Sequence, residues 1–335
     1  MSFTKSVARK FIFPIIINTG LEKLIRNSSD NSTLNLIYHG IVKKDSTYYT
    51  LRHLTAEQFE KQLQYYKKHF DIISIPEAFE RYRQGVKNKR KTLTISFDDG
   101  YMNNLSNALP LLEKYKIKAT FFISGIIAQE SDYLLYSDVI DAMNYFYKNE
   151  VLEIAGMHIK NGSLVHDGTD LIEFLKHKTA NEREDILDEM ILKLNIKKKI
   201  KEIDTEIWKL LDKDSLKKLA SSEYVDIGSH AYLHYNLGLI DRFDAEQELL
   251  KSKEVLEKTI EKKIDMIAYP DGCYNKEVKD MAEQLGYDKQ LAVDYRCEDD
   301  LNDKRILQRH GISNTTTYAS NMFFLSKAFK IRGFN

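Results

Sequence analysis

The chain is poor in the residues that staple or interrupt a fold: two cysteines, four prolines, 14 glycines and one tryptophan in 335 residues. Cys273 and Cys297 show no Cys-x-x-Cys spacing, so no disulfide framework is implied, and both read as ordinary thiols. Scarce proline and glycine exclude long linkers, collagen-like repeats and low-complexity tracts. Neither sign of charge is in excess, with 50 Lys+Arg against 50 Asp+Glu. A protein that holds nucleic-acid phosphates by charge would carry a basic surplus, so nucleic acid is not an expected partner. Long apolar runs are missing too: no segment reaches the ~18 residues of a transmembrane helix. The run from Phe11 to Ile17 follows Arg9 and Lys10, but it is short, contains Pro14 and lacks a small-x-small cleavage site. It reads as something other than a cleaved signal.

What the chain has in quantity is apolar and aromatic material, 43% and 11% of its residues, enough for a sizeable core. Both ends mix aromatics with bases. Lys5, Arg9, Lys10, Lys23 and Arg26 crowd the start; Phe323, Phe324, Lys327, Phe329, Lys330 and Arg332 crowd the finish. Such ends suit either docked terminal helices with solvated lysines or peripheral contact with an anionic membrane. The expected location is therefore cytoplasmic or peripheral to a membrane, and an exported or anchored form is also compatible.

Strand-length apolar runs recur: Leu34–Tyr38, Asp71–Ser74, Leu93–Phe97, Ala119–Ile123, Val225–Ile227, Met266–Tyr269 and Gln290–Val293. Helical patterns separate them: Thr55 to Lys68 with Thr55-x-x-Gln58 as a capping box, Leu105 to Tyr115 despite Pro110, Asp244 to Lys262, and Lys276 to Leu285. The alternation predicts an α/β fold built from βα units, a parallel sheet or barrel. From about 131 to 222 the rhythm breaks. A hairpin is expected from Val151 to Val165, turning at Lys160-Asn161-Gly162, and helices from Thr169 to Lys218. This stretch reads as a mainly helical insertion. Its run Lys197–Lys201 reads as a solvated face, and Trp208 as helix packing.

Two segments carry chemistry. Ile95-Ser96-Phe97-Asp98-Asp99-Gly100-Tyr101 ends a strand in paired acids, at the strand end where βα proteins collect their sites. Adjacent residues there point to different sides, so one carboxylate can hold a metal while the other accepts a proton. Gly228-Ser229-His230-Ala231-Tyr232-Leu233-His234 follows a second strand. One helical turn would put both imidazoles on one face, a familiar spacing for two metal nitrogens. One carboxylate plus two imidazoles leaves open positions for water, which points to metal-assisted hydrolysis.

Ser-Phe-Asp-Asp-Gly at 96–100, Ala-Thr-Phe-Phe-Ile at 119–123 and Ser-His-x-x-x-His at 229–234 resemble the polysaccharide deacetylase family (NodB homology, carbohydrate esterase family 4). Leu-Ile-Tyr-His-Gly-Ile at 36–41, with Phe59 and Gln62-Leu63, looks like its poly-N-acetylglucosamine deacetylase branch. The resemblance spans about 34 to 312, with a basic, apolar segment before it and an aromatic, basic one after. It implies a distorted (β/α) barrel and a divalent metal, most often zinc. The implied activity is removal of N-acetyl groups from a glycan or lipid-linked sugar, with release of acetate. It implies Asp98 as general base and Asp99, His230 and His234 as metal ligands. Ile267–Gly272 occupies the place of an Arg-x-Pro-Tyr motif, but Ala268 stands for the Arg that holds the base and Asp271 for the Tyr. Asp271 can still offer its backbone N–H to an oxyanion, and Arg309, after a late strand, is a candidate to replace the missing cation. His39 is the favoured general acid, with His310 the alternative. Tyr101 and Tyr269 are open between sugar stacking and core packing. An O-acetyl esterase, another amide hydrolase or a non-catalytic carbohydrate-binding homologue are the competing readings.

Overall fold

The computed structural model describes residues 12–27, 32–130, 132–312 and 317–331. Seven parallel strands close into a barrel. In chain order they are β1 (Thr33–Tyr38), β2 (Thr92–Phe97), β3 (Ala119–Ile123), β4 (Val225–Ser229), β5 (Met266–Ala268), β6 (Lys289–Ala292) and β7 (Ile306–Gly311). Each pairs with the next, and β7 returns to β1 through Asn35 opposite Arg309. The short strand Asp71–Ile72 lies outside this ring on the early half of β2, whose later half pairs with β3.

The strands are near-continuous apolar runs because both of their faces are covered. Every residue of β2 and β3 is buried. Period-two alternation then sorts the side chains. Leu36, Phe97, Phe121, Ile227 and Ile267 face outward into the main cluster with Phe59, Leu63 and Leu249 from the surrounding helices. Phe122, Met266, Ala268 and Leu291 face inward and meet Ile75 and Phe79 of the helix Ile75–Arg83. Gly228 is required here, since a Cβ would come within 2.5 Å of the Phe122 ring. Polar groups share the interior: Thr94 Oγ1 donates to Asn35 Oδ1 (2.9 Å) and Ser96 Oγ to the Leu36 carbonyl (2.8 Å).

Pro110 is accommodated because the helix widens into a π turn over Asn104–Ala108 and Pro110 falls at the start of the α-helical stretch Leu109–Tyr115 that follows. Arg309 lies within β7 rather than beyond a strand. The expected hairpin is a three-stranded antiparallel sheet, Leu152–Ile154, Met157–Lys160 and Ser163–Leu164, because Ala155 and Gly156, both at positive φ, form a second turn beside Asn161-Gly162. With the helices Tyr136–Phe146, Leu171–Lys176 and Ala180–Lys193 it encloses a cluster of its own, including Met143, Ile159, Leu171 and Met190. Trp208 packs on this cluster and donates Nε1–H to the Ile203 carbonyl. The helix Lys213–Ala220, expected inside the insertion, buries Leu216 and Leu219 in the barrel's cluster instead. Of the lysine run, Lys197, Lys198 and Lys201 are exposed, whereas Lys199 lies over the Phe146 and Tyr147 rings.

The first and last described helices meet. The helices Phe13–Thr19 and Glu22–Asn27 pack against Tyr318–Ile331, with Phe13 stacked on Phe323 at 4.2 Å. Lys5, Arg9, Lys10 and Arg332 lie outside the described residues, as do the side chains of Arg26, Phe329 and Lys330. Among the described residues, no helix is long and apolar enough to cross a membrane.

Candidate metal centre and active site

Asp98 N–H still donates to the Tyr38 carbonyl, so the first acid is a continuation of β2. Asp99 then takes φ 75° and Gly100 φ 94°, turning the chain sharply off the strand. A Cβ on Gly100 would meet Ile127 Cδ1 at 2.9 Å as well as being strained at that φ, which explains the glycine after the two acids. The left-handed turn also corrects an expectation. The two carboxylates do not diverge; they flank one imidazole, with His230 Nε2 lying 3.9 Å from Asp98 Oδ2 and 3.6 Å from Asp99 Oδ1.

The histidines converge by a different route from a helical turn. His230 and His234 lie in a loop after β4 in which Ala231 (φ 60°) and His234 (φ 61°) are left-handed, which no helix permits. The rings still meet, centroids 4.7 Å apart, and His234 Nε2 lies 3.3 Å from Asp99 Oδ1. His230 Nδ1 lies 2.7 Å from the Ala268 carbonyl. A carbonyl only accepts, so Nδ1 carries the proton, and the neutral ring keeps its lone pair on Nε2, facing the acids. Asp99, His230 and His234 thus present donors within 4.8 Å of one another, all buried. An oxygen and two imidazole nitrogens, one oriented by a backbone carbonyl, are a donor set that fits a divalent transition metal.

Arg309 points inward from β7 and grips Asp98 with both arms: Nη1 to Oδ1 at 2.7 Å and Nη2 to Oδ2 at 2.8 Å. Nη1 also reaches Ser96 Oγ at 3.1 Å, and the guanidinium lies over the Phe122 ring at 5.0 Å. Ala268 carries no charge, so the cation beside the base comes from β7, two strands further round the barrel. Burial works to raise the Asp98 pKa, but the Arg309 charge and then His230 hold its carboxyl below the usual carboxylate range. Asp99 is buried also and is held far lower by the hydrogen bond with His234 and the charges of His39 and both other histidines. Burial pushes His230 down to about 4; burial also lowers His234, but the hydrogen bond and charge of Asp99 together with the Asp271 charge outweigh it and raise that imidazole.

His39 directly follows β1 and is close enough to act electrostatically on both carboxylates. Its loop is held by the segment after Asp-Asp-Gly: Ile41 N–H donates to Asn103 Oδ1 (3.0 Å) and Asn107 Nδ2 donates to the Ile41 carbonyl (2.7 Å). Gly40 has no room for a Cβ, which would overlap the buried His53 ring. His310 follows Arg309 directly in β7, so alternation turns it to the other face of the strand, away from the carboxylates. Asp271 (φ 52°) accepts from Tyr136 Oη at 2.7 Å, and the Tyr136 ring lies 5.7 Å from that of His234. Tyr101 and Tyr269 are fully buried, donating to Asp138 and Gln290 respectively, so neither is a sugar platform.

Four neighbours escape a reading by motif. Tyr136 and Arg183 come from the insertion, Glu248 is one acid among many on a highly charged helix, and Arg52 pairs with Asp138 and Asp141 (2.9 Å to the latter). Asp138 is pushed up to about 7 by burial, against the pull of Arg52. Nothing in local spacing marks these residues, since each meets its partner only through the folded chain.

The family profile described as "Polysaccharide deacetylase" matches residues 85–289, and the chain belongs to that family. The poly-beta-1,6-N-acetyl-D-glucosamine N-deacetylase of Staphylococcus epidermidis is 32% identical over 104 residues, 28% of this chain and 36% of that relative. The protein of the same name from Staphylococcus aureus is 33% identical over 98 residues, 29% of this chain and 33% of the relative. The match therefore spans about a third of these curated relatives. Among solved structures, the Streptococcus pyogenes deacetylase PplD in complex with acetate superposes with TM-score 0.56 at 16% identity, covering 87% of this chain and 96% of that one. IcaB from Ammonifex degensii gives 0.54 at 14% identity, covering 89% and 97%. At these identities the likeness is one of fold.

Proposed function

We propose that the chain is a metal-dependent hydrolase that removes N-acetyl groups from a glycan or amino sugar and releases acetate. The observation that carries this reading is the two-armed Arg309–Asp98 pair set against the Asp99, His230 and His234 donors. A carboxylate kept ionised and fixed in direction beside three metal donors is suited to general-base work. It also answers the doubt raised by Ala268, because the base has its cation.

Asp99, His230 and His234 would hold the ion, most simply Zn²⁺ given the oxygen and imidazole donors. Such an ion, when bound, polarises an acyl oxygen and eases the ionisation of water. Asp98 takes a proton from the attacking water as its oxygen bonds to the acetyl carbon. Asp271 offers its backbone N–H to the charge that develops on the carbonyl oxygen. His39 gives a proton to the sugar nitrogen as the C–N bond breaks, leaving acetate and a free amine. The names of the curated relatives support a poly-N-acetylglucosamine type of substrate.

The test is acetate release from N-acetylglucosamine oligomers, polymer and lipid-linked sugar, each with and without added Zn²⁺, beside O-acetylated glycans. Metal-dependent release from the N-acetylated set, lost in Asp98→Asn, is expected. Release from O-acetyl substrates alone would make the protein an esterase, and no release from any would leave the non-catalytic reading.

A further inference from the structure

The loop that carries both histidines is held from two sides, and one side belongs to the insertion. On the barrel side, Gly125 N–H donates to the Ala231 carbonyl (2.9 Å) and Ile126 N–H to the Tyr232 carbonyl (3.1 Å). Glu248 Oε2 accepts from Tyr232 N–H (3.0 Å) and Leu233 N–H (2.8 Å). The next two carbonyls are met by Arg183, from the insertion helix Ala180–Lys193: its Nη2 donates to His234 O at 3.1 Å and to Leu233 O at 3.4 Å. Arg183 is 3% exposed, and its guanidinium is sandwiched by the Tyr136 ring (4.8 Å) and the Tyr235 ring (4.0 Å). His234 sits in the left-handed region, which a residue with a Cβ leaves unless its surroundings hold it.

We propose that Arg183 is a positioning residue for His234, fixing the peptide units on either side of the loop's last turn so that the imidazole stays turned toward Asp99. Through this side chain the insertion tunes the affinity of the barrel's ion site. The inference rests on the metal-site reading above. It differs from ordinary packing because Arg183 reaches the backbone of a ligand, whereas the insertion's apolar core does not.

The full chain, stripped with a chelator, is titrated with Zn²⁺ against a chromophoric competitor and with Co²⁺, whose visible spectrum reports the ligand field. Arg183→Gln is expected to weaken Zn²⁺ binding ~10–100-fold, the usual loss when a group that orients a ligand is removed, and to alter the Co²⁺ spectrum. Ile159→Ala, which opens the insertion's core from its β-sheet rather than from the helix that carries Arg183, is expected to lower thermal stability and leave both readouts unchanged. Wild-type affinity in Arg183→Gln, or an equal loss of affinity in Ile159→Ala, overturns the proposal. If Arg183→Gln does not fold, Arg183→Lys carries the test: it keeps the charge but loses the planar fork between two rings, so several-fold weaker binding supports the proposal and wild-type binding overturns it. A wild-type chain that takes up neither ion refutes the metal site itself, which separates that failure from failure of Arg183.

Discussion

In the barrel, Asp98, His230 and Arg309 stand on or just beyond barrel strands, and every one of them contacts another site residue directly. In the insertion, Tyr136 and Arg183 stand on helices that bury a separate apolar cluster, and they reach the site through hydrogen bonds to Asp271 and the His234 backbone and through the Tyr136 ring beside His234. The first arrangement supplies reacting groups on rigid supports. The second supplies adjustment, since a hydrogen bond can be lost without displacing a strand. If that division is right, substitutions in the barrel remove chemistry and those in the insertion modulate it.

The sharpest break is at the base. Asp98→Asn keeps the shape and an acceptor for Arg309 but removes the proton-accepting charge. Loss of a general base costs typically ~10²–10⁴ in rate, so kcat/KM should fall by that order while Zn²⁺ content stays at the wild-type level. A near-normal rate would move the base elsewhere, and lost metal would make Asp98 a ligand.

Arg309→Met tests the cation that crosses the barrel interior. Burial raises the Asp98 pKa and Arg309 lowers it. Removing Arg309 therefore leaves more of the base protonated at a given acid pH. A close opposite charge is worth roughly 1–3 units, so the acid limb of the kcat/KM profile should move up in pH by that amount, with activity best preserved at the alkaline end. A pH-independent loss would instead mean that Arg309 only holds the geometry.

These two residues also show what could be read beforehand. Six of the seven barrel strands were legible as apolar runs, whereas β7 was not, because Gln308, Arg309 and His310 interrupt it; Asp98, Asp99, His230 and His234 stood out because short spacings brought chemical types together. Arg309 was a candidate only through the family resemblance, which implies a cation beside the base at a position that Ala268 occupies here. The conformation of the histidine loop was not legible: the i,i+4 spacing suits a helical turn, and only contacts with Gly125, Ile126, Glu248 and Arg183 favour the left-handed path. Tyr136 and Arg183 were invisible for the same reason, since their partners are distant in sequence and no local pattern marks a side chain by the backbone it will meet.

The separate core of the insertion predicts separable stability. Met190 is fully buried in that cluster and Phe121 in the barrel's, stacked on Phe97 at 4.7 Å. Met190→Ala and Phe121→Ala should cost about 2–5 and 3–5 kcal/mol, the range for large-to-small core changes. The regional pattern discriminates more than the totals. By native-state hydrogen exchange, Met190→Ala should lower protection across the helices Tyr136–Phe146 and Ala180–Lys193 while β2 and β3 keep theirs. Equal loss in both regions would mean that insertion and barrel unfold as one unit and that the contrast between them is one of position only.

The smallest effect is expected at Tyr136→Phe, where the comparison is finest. The ring stays, so its packing in the insertion core and its contact with Arg183 are kept, and only the hydroxyl bond to Asp271 Oδ2 goes. Burial raises the Asp271 pKa, and His234, Lys176 and the Tyr136 hydrogen bond lower it to a net depressed value. Without the hydroxyl the carboxyl titrates at higher pH, so the sign is a loss of activity that grows toward acid. A hydrogen bond to a charged group is worth about 1.5–3 kcal/mol, of which water entering the gap would return part; about a tenfold fall in kcat/KM at pH 5 and less at pH 8 is expected, with Zn²⁺ affinity and thermal midpoint near wild type. A fall as deep as that of Asp98→Asn would place the insertion among the reacting groups. No change at any pH would leave the insertion's influence on the site to Arg183 alone.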